Sequence, residues 1–275
     1  MTGTRTRPLS VLPPAPVSMF EPVYVAQDEI GRPVYLDFSD QVGIILAGEP
    51  GAGKSVALAN IVAHGALAFT DCRLTLMDGA LVELGIWRAC ADEFVGPDIN
   101  HAIAVLEKQQ QEITDCCEML LDTHRRKVVK GDGEPMHLTA IDELAYFSAT
   151  VGTKPEREKF NTALRDCSAR GRKCAYRYVL ATQRPSTDIV PSSLRDLFGY
   201  RWAFRCATDD SSDVVLGRGA AKAGYTTATI ADEARGVGLL RAEGKRVPRR
   251  VKAAYLTDDE LRRLADRAAI LRGRP

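Results

Sequence analysis

The chain has 275 residues, 45% hydrophobic and 27% charged, with a formal net charge of +1, which is ordinary globular composition. Its longest apolar stretches, residues 42–48 and 57–69, are too short or too interrupted (Asn60, His64) for the roughly 20 apolar residues of a membrane-spanning helix. Seven cysteines without a C-x-x-C pair and four histidines without zinc-ligand spacing argue for reduced, packed thiols and against a transition-metal site.

Residues 1–20, rich in Pro, Thr and Arg, read as a disordered or loosely attached arm with no apolar core of the kind a signal peptide needs. A cytoplasmic chain is therefore expected. Residues 21–41 alternate apolar and polar positions around Asp28-Glu29 and Gly31-Arg32, the pattern of a β-hairpin leading into the core. From residue 42 to about 256, apolar strand-length runs alternate with helical patterns. Strands are expected at 42–47, 73–78, 137–142, 176–183 and 200–206, with terminal strands in the "GVGLLRA" and "RVKAAYL" stretches. Helices are expected from the Gly-rich loop to about Phe69, over 98–126 and over 155–170. Asp98 would cap the long helix, with Ile99, Ile103, Leu106, Ile113, Cys117, Leu120 and Leu121 on its apolar stripe. Residues 257–275 read as a closing helix with a basic tail. Such alternation predicts an α/β fold, mostly parallel, with helices on both faces of the sheet.

Net charge hides two basic stretches. Arg165, Arg170, Arg172, Lys173, Arg177 and Arg184 stand against Asp166 alone, and residues 241–275 hold eleven basic against five acidic side chains. Either suits a polyanionic partner or a solvated face.

Three motifs carry chemistry. In "GEPGAGKSV", Gly48, Glu49, Pro50, Gly51, Ala52, Gly53, Lys54, Ser55 and Val56 have the spacing of a nucleotide P-loop, set between a strand and a helix. Its backbone N–H groups and helix N-terminus would cradle phosphates; Lys54 would reach the β- and γ-phosphates of ATP, and Ser55 would hold Mg²⁺. In "HLTAIDELAYF", Asp142 closes an apolar strand as the second magnesium-side group, and Glu143 beside it is the candidate base for the attacking water. A helix-capping acid pair is the plainer alternative, disfavoured by the P-loop upstream. In "VLATQRPS", a buried strand ends in Thr182-Gln183-Arg184 at the sheet's carboxyl edge, where Gln183 could sense the γ-phosphate or orient water. A full strand–helix unit separates the P-loop from the Asp142 strand. With Glu143 and Gln183, this predicts the additional-strand, catalytic-glutamate type of P-loop NTPase.

"GEPGAGKSV", "MDGALVELG", "AIDELA", "ARGRKCAYRYVLATQRPS" and "DDSSDVVLG" together resemble, in order and spacing, the FtsK/SpoIIIE family of DNA-pumping motors. Within that family the likeness is strongest to the TraB-like transfer proteins of actinomycete plasmids and integrative elements. It covers residues 22–262. The resemblance implies a RecA-like motor domain that assembles into a homo-oligomeric ring, usually a hexamer, and translocates double-stranded DNA with ATP. It also implies an arginine completing each site from the neighbouring subunit, at Arg172 here, with Arg170 as the nearby substitute.

The sequence departs from that family in places. Glu49-Pro50-Gly51-Ala52 replaces the usual Thr-Gly-Ser before Gly-Lys-Ser, and Asp78-Gly79-Ala80 stands where relatives often carry Asp-Pro-Lys. A sequence-reading module is not expected in so short a tail, and membrane anchoring is expected to fall to a membrane-bound partner protein. Two rival readings follow: a type VII-like protein-secretion ATPase, and a nucleotide-gated assembly factor that does not translocate.

Overall fold

The computed structural model describes residues 17–245 and 247–274. Ten strands form one sheet: β1 (Val23–Asp28), β2 (Pro33–Leu36), β3 (Gly43–Ala47), β4 (Cys72–Asp78), β5 (Glu93–Val95), β6 (Met136–Asp142), β7 (Tyr176–Thr182), β8 (Tyr200–Phe204), β9 (Val237–Arg241) and β10 (Arg249–Ala253). Their spatial order is β2-β1-β10-β9-β8-β3-β7-β6-β4-β5. From β8 to β5 all neighbours are parallel; from β8 outward to β2 all are antiparallel. The P-loop strand β3 is thus separated from the Asp142 strand β6 by β7, the inserted strand that the sequence order anticipates.

Parallel strands buried on both faces need cover on both sides, and β3 and β7 are buried along their whole length. Helix α1 (Lys54–Leu67) packs beside α6 (Asp258–Leu271), while α2 (Ile99–Asp122) packs against α3 (Lys154–Arg170), and α1 and α3 each reach β7. Two short helices complete the chain, α4 (Ser192–Arg195) and α5 (Asp209–Leu216). The Asp98 carboxylate accepts the N–H groups of Asn100 and His101, closing the open end of α2 as its residue type predicts. Thr153–Glu156 and Thr257–Glu260 form reciprocal capping boxes on α3 and α6.

Several expectations shift. Helix α2 ends at Asp122, with His124 turning into the left-handed region, and Leu121 and Cys117 lie on its exposed side rather than on the apolar stripe. Residues 1–16 of the N-terminal arm lie outside the described residues. Residues 18–20 pack on the core: Met19 is buried, its N–H donates to Asp71, and half-buried His64 pairs with the Ser18 carbonyl.

The two basic stretches are not continuous cationic faces. Arg177 is 1% exposed, and its guanidinium donates to the carbonyls of Phe38, Ser39, Arg172 and Tyr176. Burial pulls its pKa down to about 10. Arg170 is tied to Asp166 at 2.9 Å. In the C-terminal stretch, Arg249 pairs with Asp28, Arg262 with Asp259, and Arg272 and Arg274 with Asp92. Arg272 also donates to the Gly65 and Ala66 carbonyls, closing the last turn of α1. Among the described helices, none is long and apolar enough to cross a membrane.

Candidate functional site

The carboxyl ends of β3, β7, β6 and β4 lie side by side, with Ala47 registered against Thr182 and Asp78 against Asp142. Chains leaving this edge therefore converge, which brings together the P-loop, Gln183 and Glu143. Such a crevice is where ligands of open parallel sheets bind.

The P-loop is held from both flanks. Gly48 N–H donates to the Thr182 carbonyl (3.3 Å), Glu49 N–H to the Arg205 carbonyl (2.9 Å), and Gly236 N–H to the Ala52 carbonyl (2.8 Å). Pro50, the oddity of the sequence, has a simple local account. Ala52 N–H bonds the Glu49 carbonyl at 3.1 Å and Gly51 has φ +74°, so Glu49–Ala52 is a β-turn with Pro first and a positive-φ Gly second. Pro50 is exposed and stiffens that turn, leaving Lys54 and Ser55 untouched. Glu49 finds a cation, Arg205, at 3.4 Å. Gly53 precedes α1 at φ +116°, and a Cβ there would come within 2.5 Å of Gly236 Cα, so only glycine fits.

Helix α1 begins without a side-chain cap and without an acidic residue in its first turn. A 14-residue helix so left presents its orphan N–H groups and positive dipole end to an anion. Lys54, 3% exposed, donates to Asp142 Oδ1 at 2.7 Å. Burial pushes the Asp142 carboxyl up; Lys54 opposes that shift, while Asp78 and Glu143 add to it. Ser55 follows on the same turn, half-buried. A helix start open to phosphate, a buried lysine held by one carboxylate, and hard oxygen donors on Ser55 and Asp142 fit a nucleotide with magnesium.

Glu143 adopts φ +53°, rare for a side chain with a Cβ. Its carboxylate accepts the Thr182 hydroxyl at Oε1 (2.8 Å) and the Gln183 N–H at Oε2 (2.8 Å). Gln183 itself is exposed at the same edge. Arg172 is not part of this cluster. It lies exposed in the short turn Gly171–Cys174 before β7, a strand length of roughly 20 Å from Gln183, too far to complete its own site.

Two features escape sequence reasoning. Asp78 is fully buried and accepts the N–H groups of Ala80, Leu81 and Leu84, so it shapes the loop after β4. The Tyr146 ring lies over Gly79, where an added Cβ would come within 2.3 Å of it. Thr182 stood in view in "LATQRPS", but its contact with Glu143 depends on β7 lying beside β6 and on the unusual backbone of Glu143.

No family model matches the chain. Among curated proteins it is similar to DNA translocase FtsK 2 of Ralstonia nicotianae (26% identical over 274 residues, 88% of this chain and 33% of the relative). It is also similar to DNA translocase FtsK of Lactiplantibacillus plantarum (26% over 260 residues, 87% and 31%) and of Pseudomonas aeruginosa (25% over 291 residues, 92% and 34%). The chain thus spans about a third of the length of these relatives. Among solved structures, its fold is similar to the pCW3 conjugation coupling protein TcpA with ATPγS: TM-score 0.78, 20% identity, 94% of this chain and 72% of that one. EssC ATPases 2 and 3 of Geobacillus thermodenitrificans give a TM-score of 0.73 at 14% identity, over 98% and 53%. The cytoplasmic domain of the type VII secretion ATPase EccC of Thermomonospora curvata gives 0.68 at 20%, over 96% and 33%. With its strand order, its P-loop and these relatives, the chain is similar to the FtsK DNA translocases over 87–92% of its length and has the fold of P-loop ATPases.

Proposed function

We propose that this chain hydrolyses ATP to translocate double-stranded DNA, as one subunit of a ring, in transfer of a mobile element. The observation that carries the reading is the carboxyl edge itself: Lys54 and Asp142 at 2.7 Å beneath an uncapped helix start, with Glu143 held over the intervening strand. A nucleotide-gated assembly factor has no need of Glu143 and Gln183 beside the P-loop.

In this reading residues 42–256 are the motor core. Lys54 and the N–H groups opening α1 would hold the phosphates of ATP, and Ser55 and Asp142 would hold Mg²⁺. The bound nucleotide and metal supply the phosphoanhydride to be cleaved and the charge that polarises it. Lys54 neutralises phosphate charge once it exchanges its carboxylate partner. Glu143 takes the proton of the attacking water, and Gln183 orients that water or contacts the terminal phosphate. Arg172, exposed and without a side-chain partner among the described residues, is free to reach a neighbouring subunit; Arg170 is held by Asp166, which favours Arg172 of the two. A ring of such subunits would supply the second subunit that Arg172 needs. DNA contact would be chiefly to phosphates and salt-sensitive. Recruitment to the inner face of the membrane would fall to a membrane-bound partner.

The likeness of fold to EssC and EccC supports a second reading, in which the same motor acts on polypeptide. Phosphate release by the purified chain, with and without linear duplex DNA, separates them. Strong stimulation by duplex, lost in Lys54→Ala, supports the DNA motor. Hydrolysis indifferent to duplex but stimulated by an unfolded peptide would overturn it.

A further inference from the structure

We propose that Thr182 is a positioning residue, whose hydroxyl sets the Glu143 carboxylate over the end of β7; this rests on the reading of Glu143 as the base. Glu143 sits at φ +53°, a strained backbone state for a non-glycine residue that persists only where the surroundings hold it. Three donors do so here: the Thr182 hydroxyl at 2.8 Å, the Gln183 N–H at 2.8 Å and the Ala145 N–H at 3.3 Å. Two are backbone groups that any residue supplies. The Thr182 hydroxyl is the one side chain among them.

That hydroxyl has a defined direction. It accepts the Arg184 N–H at 3.1 Å, and its single proton is left for the acceptor-only carboxylate. Thr182 is fully buried on the strand between the P-loop strand and the Asp142 strand, so its rotamer is fixed by packing. Its carbonyl accepts the N–H of Gly48 at the start of the P-loop. One residue therefore connects the phosphate loop to the base. Each carboxylate oxygen has two lone pairs, and Oε2 receives one donor, so the hold leaves it able to take a proton. The arrangement orients the base without consuming it.

The test compares Thr182→Val, which removes the hydroxyl at nearly constant size, with Thr182→Ser, which keeps it. Expected for Val are a kcat for ATP hydrolysis about 10- to 100-fold lower, the scale of a misplaced catalytic group, and an unchanged affinity for a fluorescent ADP analogue. Its crystal structure should show the Glu143 carboxylate off β7. Ser should recover most of the kcat. Turnover of Val within twofold of wild type, or Ser as impaired as Val, would overturn the proposal. Should Val fail to fold, Thr182→Ala is judged by the same criteria. Glu143→Gln run alongside separates the two layers. Normal turnover in Glu143→Gln removes the base reading itself, whereas an inert Glu143→Gln beside a normal Thr182→Val removes only the role of Thr182.

Discussion

The two halves of the sheet differ in how they treat side chains. From β8 to β5 the strands are parallel and largely buried on both faces, whereas β1, β2 and β10 alternate buried and exposed positions. The parallel half has no open face on which a polar residue can meet water, so its polar groups are paired in the interior, as Thr139 and Tyr178 are with Gln109, or gathered about the strand ends. Lys54, Asp78, Asp142, Thr182 and Arg177 are all buried there. The antiparallel wing instead places Tyr24 and Tyr35 in contact on an exposed face, 5.6 Å between ring centroids. The same sheet thus separates a half in which each charge needs a partner from one in which most charges are solvated.

The largest effect is expected where that need meets the site. Lys54→Ala removes the buried cation paired with Asp142, the charge proposed to face the phosphates, and should lower ATP turnover at least about a hundredfold in a phosphate-release assay. Arg177→Leu, also in the parallel half, abandons four carbonyl partners and should cost about 2–4 kcal/mol in denaturant melts. Its counterpart in the wing is Arg249, half-exposed and paired with Asp28; Arg249→Ala should cost less than about 1 kcal/mol. Equal losses for the two arginines would break the comparison.

Acid should act through the parallel half as well. His137 stacks on Tyr176 at 4.1 Å, and burial pulls its pKa from 6.5 to about 4. The unfolded chain binds a proton below pH 6.5 that the folded chain refuses until about pH 4. Its contribution is complete above pH 6.5 and is lost as pH falls, by at most about 3 kcal/mol. His137→Gln should flatten the fall of melting temperature between those values; an unchanged slope would contradict the assignment.

Much of this was legible from the residues. Strands β3, β6 and β7 announce themselves as apolar runs, and Asp98 and Thr257 mark helix starts. What was not legible depends on spatial neighbours. Arg177 reads as one member of a basic stretch until the carbonyls of Phe38 and Ser39, about 140 residues earlier in the chain, are seen to surround it. Strand β5 has three residues, too few to show a period. The α5 start, Thr208 before Asp209-Asp210, carried a capping signal that a strand-led reading passed over. At the site, Lys54 and Asp142 follow from motif spacing, but the left-handed backbone of Glu143 and its hold by Thr182 do not.

The central claim, a motor whose hydrolysis serves duplex DNA, is met most directly by one measurement: steady-state ATP hydrolysis by the purified chain as linear duplex is titrated in. A saturable, salt-sensitive rise absent in Lys54→Ala is the predicted result. A rate that stays flat across the titration while wild-type protein still hydrolyses ATP would contradict it.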